Sequence, residues 1–190
     1  MVPELQPAPY QTRTVRRQDP VPALAATIAA IARAHRDDES ALCVWVAGAL
    51  TGAIRDPDWI PFGLRQPSPT GYRRERLYEA PDGSFSIGCF VWAPGQRTPI
   101  HDHRGWGVVG VAFGTLESVS FFRTEAGRLV PSVTDFIPAG SCDWAHPAGG
   151  DIHRIGAAGG ETAISIHVYG TRFDSVCRHR YLPDGTILTQ

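Results

Sequence analysis

The stretch TPIHDHRGWGVVG, residues 98–110, places one imidazole on each side of an aspartate in a chain that has only seven histidines. In a strand, successive side chains point to opposite faces, so His101 and His103 project the same way and Asp102 the other. Two nitrogen donors side by side suit a divalent transition metal; hydrogen-bonded histidines on a polar strand face are the plainer use of the same pattern. A third donor has to come from elsewhere. His35 falls in a helical segment and His179 in an arginine-rich C-terminal stretch. His153, in GGDIHRIG, follows a glycine–aspartate turn at the start of a strand, a place from which a barrel rim aims a side chain inward. His146, in WAHPAGG, reads as a loop residue and is the fallback. His167 lies in ISIHVYG, whose alternation puts Ser165, His167 and Tyr169 on one face and Ile164, Ile166 and Val168 on the other. Such a polar row is either the inner wall of a cavity or a face turned to solvent.

The elements that must hold these residues are legible in outline. A chain of 190 residues with 43% hydrophobic content is long enough to bury one full core, which predicts one domain. Its net charge of -1, without a lysine or arginine run, gives no field to attract nucleic acid or anionic lipid, so small molecules are the expected partners. Four scattered cysteines with no CxxC pair fit a reducing compartment better than a disulfide framework. The N-terminus has no apolar signal-like core, and nowhere do eighteen apolar residues run together, so the expectation is a soluble cytoplasmic protein.

Residues 1–20 are rich in proline and polar groups and read as an extended arm, followed by the domain over 21–190. Pro20 and Pro22 suit a first helical turn, and Leu24, Ile28 and Ile31 follow at helical spacing. Ser40 is the expected cap of a second helix whose apolar face carries Leu42, Trp45, Val46 and Leu50, the two helices together covering about 21–55. From about 70 to 185 the texture becomes short β-rich runs punctuated by turns, among them 108–113, 116–122, 128–134 and 162–169. Many short strands without crossover helices predict a mainly β antiparallel barrel or jelly roll with the helices packed outside.

The motifs also carry a family resemblance. Gly95, five intervening residues, then His101-x-His103 resembles the first metal-binding motif of the cupins, and Pro147-Ala-Gly149 followed by His153 is similar to the second. Cupins usually add a glutamate ligand a few residues after HxH, whereas 104–108 here reads RGWGV, with no acid. A cupin pattern without that glutamate, carrying HDHxxWG, GDIH and SIHVYG in order over about 70–178, resembles the cysteine dioxygenase family of thiol dioxygenases. The resemblance implies an iron(II) site made by His101, His103 and His153, supported by Ser165, His167 and Tyr169. The family's substrate-carboxylate arginine maps to Arg74 in Tyr72-Arg73-Arg74, although Arg73, Glu75 and Arg76 beside it also fit a solvated strand face. In the animal enzymes a cysteine cross-linked to the active-site tyrosine falls opposite Gly107; the bacterial branch commonly has glycine there, which implies an unmodified Tyr169.

The implied reaction adds both atoms of O2 to the sulfur of a small thiol carboxylate, giving a sulfinic acid. Arg74 favours cysteine, while HDHRGWG and SIHVYG are at least as similar to the 3-mercaptopropionate branch. Arg178, nine residues after Tyr169, is a second guanidinium with access to the pocket from the C-terminal segment, with Arg172 a weaker candidate; if Arg178 and Arg74 both face the metal, mercaptosuccinate becomes an option. A metal-binding cupin sensor without turnover is the alternative of a different class. A zinc hydrolase or isomerase would want a carboxylate base near the metal. Asp151, the only acid near the motifs, reads as a turn or supporting residue.

Overall fold

A computed structural model describes residues 19–145 and 151–188. The described residues open with two helices, α1 (Val21–Ala34) and α2 (Glu39–Ile54), and continue as strands β1 (Arg73–Glu79), β2 (Ser86–Trp92), β3 (Ile100–His103), β4 (Gly107–Phe113), β5 (Thr115–Arg123), β6 (Leu129–Pro138), β7 (Cys142–Ala145), β8 (His153–Ala157), β9 (Ala163–Tyr169), β10 (Cys177–Tyr181) and β11 (Ile187–Leu188). This is the mainly β architecture with outside helices that the sequence predicts. Of the expected arm, residues 1–18 lie outside the described residues. The expected strand over 128–134 is the first part of β6, which continues to Pro138.

The strands form two antiparallel sheets, ordered β1-β2-β9-β4-β7 and β11-β10-β3-β8-β5-β6. Their inner faces meet in an aromatic and aliphatic core that includes Phe90, Trp92 and Val111 from the first sheet and Leu116, Ile137 and Ile155 from the second. The outer face of the first sheet is equally buried, because both helices lie on it. Leu24, Ile28, Val46, Leu50 and Ile54 pack on Ile87, Val91, Val108, Ile164 and Val168. Sequestering each such aliphatic side chain contributes on the order of 1.5–3 kcal/mol. Gly110 lets α2 come this close: a Cβ there would lie 2.9 Å from Leu50 Cδ2 and 3.1 Å from Ile54 Cδ1.

Two details of the helices differ from expectation. Asp38, not Ser40, caps α2, its Oδ1 accepting the Ala41 N–H at 2.9 Å; the helix already begins at Glu39, so Ser40 lies inside its first turn and cannot take the capping position. Trp45 does not join the apolar face. It is 59% exposed and stacks on His35 at the end of α1, with ring centroids 5.9 Å apart. All four cysteines are unpaired; burial pushes the thiol of Cys43 up to about 11 and that of Cys89 up to about 12, so both are protonated packing residues. Among the described residues, no helix is long and apolar enough to cross a membrane.

Candidate metal centre and its cavity

Strand pairing brings the histidines together. His101 on β3 sits directly across from His153 on β8, and His103 is two residues along the same face. One nitrogen from each ring comes within 4.8 Å of the others, and the ring centroids are 4.7 to 4.9 Å apart. His103 is buried, while His101 and His153 keep access to the cavity.

Two of the rings are oriented by their second nitrogen. His101 Nδ1 lies 3.0 Å from the Pro99 carbonyl oxygen and His103 Nδ1 lies 2.7 Å from Asp151 Oδ2, both acceptors. In the neutral ring Nδ1 then carries the proton and donates, leaving the Nε2 lone pair for a ligand bond. Burial, followed by the neighbouring His103, pushes His101 down to about 4, and burial with the other two imidazoles holds His153 well below its ordinary value. Burial tends to raise Asp151, but hydrogen bonds and charge from His103 outweigh it, so this carboxyl titrates below its usual range. One oxygen of Asp151 is thus engaged by both the ring and the backbone of His103. Three imidazoles converging within one ligand sphere suit a divalent transition ion, which binds them through unprotonated nitrogens.

Strand β9 supplies the opposite wall. Its outer residues face the helices, so Ser165, His167 and Tyr169 face inward, and all three are buried. Trp92 on β2 donates its indole N–H to Ser165 Oγ at 3.0 Å; Ser165 Oγ is 2.8 Å from His167 Nε2, and His167 Nδ1 is 2.8 Å from the Tyr169 hydroxyl. An indole only donates, and the serine oxygen that accepts it can pass its own proton to Nε2 of a His167 protonated on Nδ1. In that tautomer Nδ1–H donates to the phenol oxygen, and the Tyr169 O–H is directed elsewhere. Burial, then His103 and Arg74, pushes His167 down to about 3, which keeps it neutral for this role. Burial raises the Tyr169 phenol, so it remains a donor. Gly107 is the cross-strand partner of Tyr169, and a Cβ there would stand 3.2 Å from the ring.

The arginines divide. Arg74 on β1 lines the cavity, with Nη2 donating to the Phe173 carbonyl at 3.3 Å and its guanidinium 4.9 and 5.6 Å from the centres of the Phe173 and Phe90 rings. Arg172 points away and pairs with Glu79 at 3.1 Å. Arg178 is exposed and is not among the cavity-lining residues; Arg180 is. Approach from the C-terminal segment is realised two residues later: β10 carries a bulge between Cys177 and Arg180, and it is Arg180 that pairs with His101 and lines the cavity. One acid went unnoticed in the sequence. Asp143 lines the cavity because its neighbour Cys142 faces α2, and burial raises its carboxyl. Alternation in CDWA carries that signal only once one face is known to be covered. His35 and His179 lie apart from the trio, His179 bonded to Asp102 on the back of β3; His146 lies outside the described residues.

No protein-family model matches the chain. Among solved structures, it is similar to an uncharacterised conserved protein with a double-stranded β-helix domain from Klebsiella pneumoniae, at 18% identity over 67% of this chain and 93% of that one, TM-score 0.45. It is similar to a cupin 2 conserved barrel domain protein from Salinispora arenicola, at 20% identity over 52% and 74%, TM-score 0.41. It is also similar to an oxalate oxidase in complex with glycolate, at 19% identity over 55% of this chain and 53% of that one, TM-score 0.43, and so spans about half of that enzyme's length. These are likenesses of fold at low identity; the chemistry of the site rests on its own residues.

Proposed function

We propose that this chain is a thiol dioxygenase that holds iron(II) with His101, His103 and His153 and converts a small thiol carboxylate, cysteine or 3-mercaptopropionate, to its sulfinic acid. The observation that carries the reading is that the converging nitrogens of His101, His103 and His153, the Tyr169 phenol and Arg74 all line one cavity.

Each part has a task. Three neutral imidazoles leave a bound divalent ion its full positive charge, so an anionic thiolate is the natural complement. Iron(II) would supply the place where thiolate and dioxygen meet. The balance is simple: thiolate plus dioxygen gives sulfinate, the sulfur losing four electrons and the two oxygen atoms gaining them, with no external reductant. The protein's contribution is positioning. Tyr169 offers one directed hydrogen bond from a phenol that stays protonated, and the chain from Trp92 through Ser165 and His167 fixes its direction. Arg74, held by the Phe173 carbonyl and flanked by two aromatic rings, presents a planar fork to a carboxylate.

The test is oxygen uptake by the iron-loaded protein with cysteine, 3-mercaptopropionate and cysteamine in parallel, with mass analysis of the product. A carboxylate thiol should gain two oxygen atoms. Cysteamine, which leaves Arg74 without its partner, should turn over at least a hundredfold less efficiently. Metal and thiol binding without oxygen uptake would make the protein a sensor, and equal activity on cysteamine would remove Arg74 from the substrate site.

A further inference from the structure

The β3–β10 register carries more than the proposed reaction requires. Cys177 pairs with His103 and Arg180 with His101, so one residue separates the partners on β3 and two separate them on β10. Without the extra residue His179 would stand opposite His101 and face the cavity. With it, His179 is turned to the back of the sheet and Arg180 lines the cavity instead. The bulge is fastened: Asp102, on the back of β3, accepts the His179 N–H at 2.7 Å, and its other oxygen is 3.1 Å from His179 Nδ1 and accepts the Tyr181 hydroxyl at 3.0 Å. A buried carboxylate is therefore used to hold an irregularity whose effect is to exchange an imidazole for a guanidinium beside His101.

That guanidinium has company. Arg74 and Arg180 line the same cavity, and among the described residues neither forms an ion pair. Their neighbours do: Arg73 pairs with Glu75, Arg76 with Glu79 and Asp174, and Arg172 with Glu79. The carboxylate that shares the cavity, Asp143, also lines a second opening with Ser118, Ser120, Asp151 and His153, to which neither arginine contributes. The acid thus borders an opening that the two cations do not reach.

The geometry points to Arg180 as a second anion-recognising group of the metal cavity, and hence to a thiol substrate that carries two acidic groups. This rests on the thiol reading of the site and narrows it: Arg74 takes one carboxylate, Arg180 takes the other at the exposed rim, and sulfur is left for the histidine centre. An ammonium group at the Arg180 position would meet a like charge.

The test separates binding from oxygen chemistry. Cobalt(II)-loaded protein, kept anaerobic, is titrated with mercaptosuccinate, 3-mercaptopropionate and cysteine, and thiolate coordination is read from the sulfur-to-cobalt charge-transfer band. Mercaptosuccinate should bind about tenfold or more tightly than 3-mercaptopropionate, as one further charge-assisted hydrogen bond allows. Arg180→Met should bring the ratio near one, Arg180→Lys should keep part of it, and Arg178→Met, which alters an outward residue, should leave it unchanged. No preference in the parent protein, or a preference that survives Arg180→Met at unchanged cobalt content, overturns the inference. So does a preference for cysteine that Asp143→Asn removes. Oxygen uptake by the iron form with 3-mercaptopropionate judges the dioxygenase reading separately: uptake with flat binding ratios sinks Arg180 alone, dicarboxylate preference without uptake sinks the oxygen chemistry alone, and no thiolate band with any thiol sinks both.

Discussion

One oxygen of Asp151, Oδ2, lies 3.0 Å from the backbone nitrogen of His103 and 2.7 Å from its ring Nδ1, so a single acceptor fixes both the strand and the imidazole it carries. The bond assigns the His103 proton to Nδ1 and turns Nε2 toward the centre. Asp151→Ala should therefore weaken metal binding by about 10- to 100-fold, the usual loss when a ligand's outer partner is removed. Asp151→Asn, which keeps an acceptor oxygen without the charge, should lose less. Chelator competition followed by metal analysis measures both, and equal affinity in all three proteins would mean that His103 is oriented by packing alone.

The trio itself gives a sharper comparison. His101→Ala, His103→Ala and His153→Ala should each reduce bound iron from one per chain to near none, since two imidazoles alone leave a weak site. His146→Ala should retain it. Loss of iron in His146→Ala together with retention in His153→Ala would reassign the third ligand.

Tyr169 faces Gly107 across the strand pair, where no side chain is present to bond to it. Intact-mass measurement should therefore give the mass of an unmodified chain, whereas a thioether to any cysteine would remove two hydrogens. Tyr169→Phe should keep its metal and slow oxygenation by roughly ten- to a thousandfold, the range for losing one positioned hydrogen bond worth about 1.5 to 4 kcal/mol at the transition state. Full activity in the phenylalanine variant would reduce the phenol to wall packing.

Much of this site was legible because strand alternation is a strict rule wherever strands are regular. HxH put two rings on one face, and SxHxY put three polar groups on another, and the structure has both on inner walls. The legible part ends where regularity ends. The bulge at Arg178–His179 depends on Asp102, seventy-odd residues earlier, and no local feature of CRHRY announces it. Asp143 was invisible for a related reason. Its inward direction follows from Cys142 packing on α2, a contact between segments 91 and 95 residues apart. Trp92 ends a strand of mostly apolar residues, yet its N–H donates to Ser165 on β9; a side chain's bonding partner lies across the sheet, where a linear pattern does not reach.

The buried imidazoles also make stability depend on pH in a predictable direction. Burial, as the first cause for each, lowers His167 to about 3 and His101 to about 4, with His153 lowered in the same sense. In the unfolded chain these rings take up protons near the ordinary 6.5, and in the folded protein they resist until far lower pH. The unfolded state binds more protons across that window, so stability rises with pH inside it. The metal-free protein should melt at a constant temperature above about pH 7.5 and progressively lower as pH falls from about 6.5 toward 4, each such group contributing about 1 kcal/mol per pH unit. His167→Gln removes one titrating ring without touching the three metal-ligating nitrogens. Whatever its offset at neutral pH, its melting temperature should fall less steeply with acid than that of the parent. Parallel acid slopes in the two proteins would show that His167 is protonated in the fold; Nε2 would then donate to Ser165 Oγ while Nδ1 would still donate to the Tyr169 oxygen.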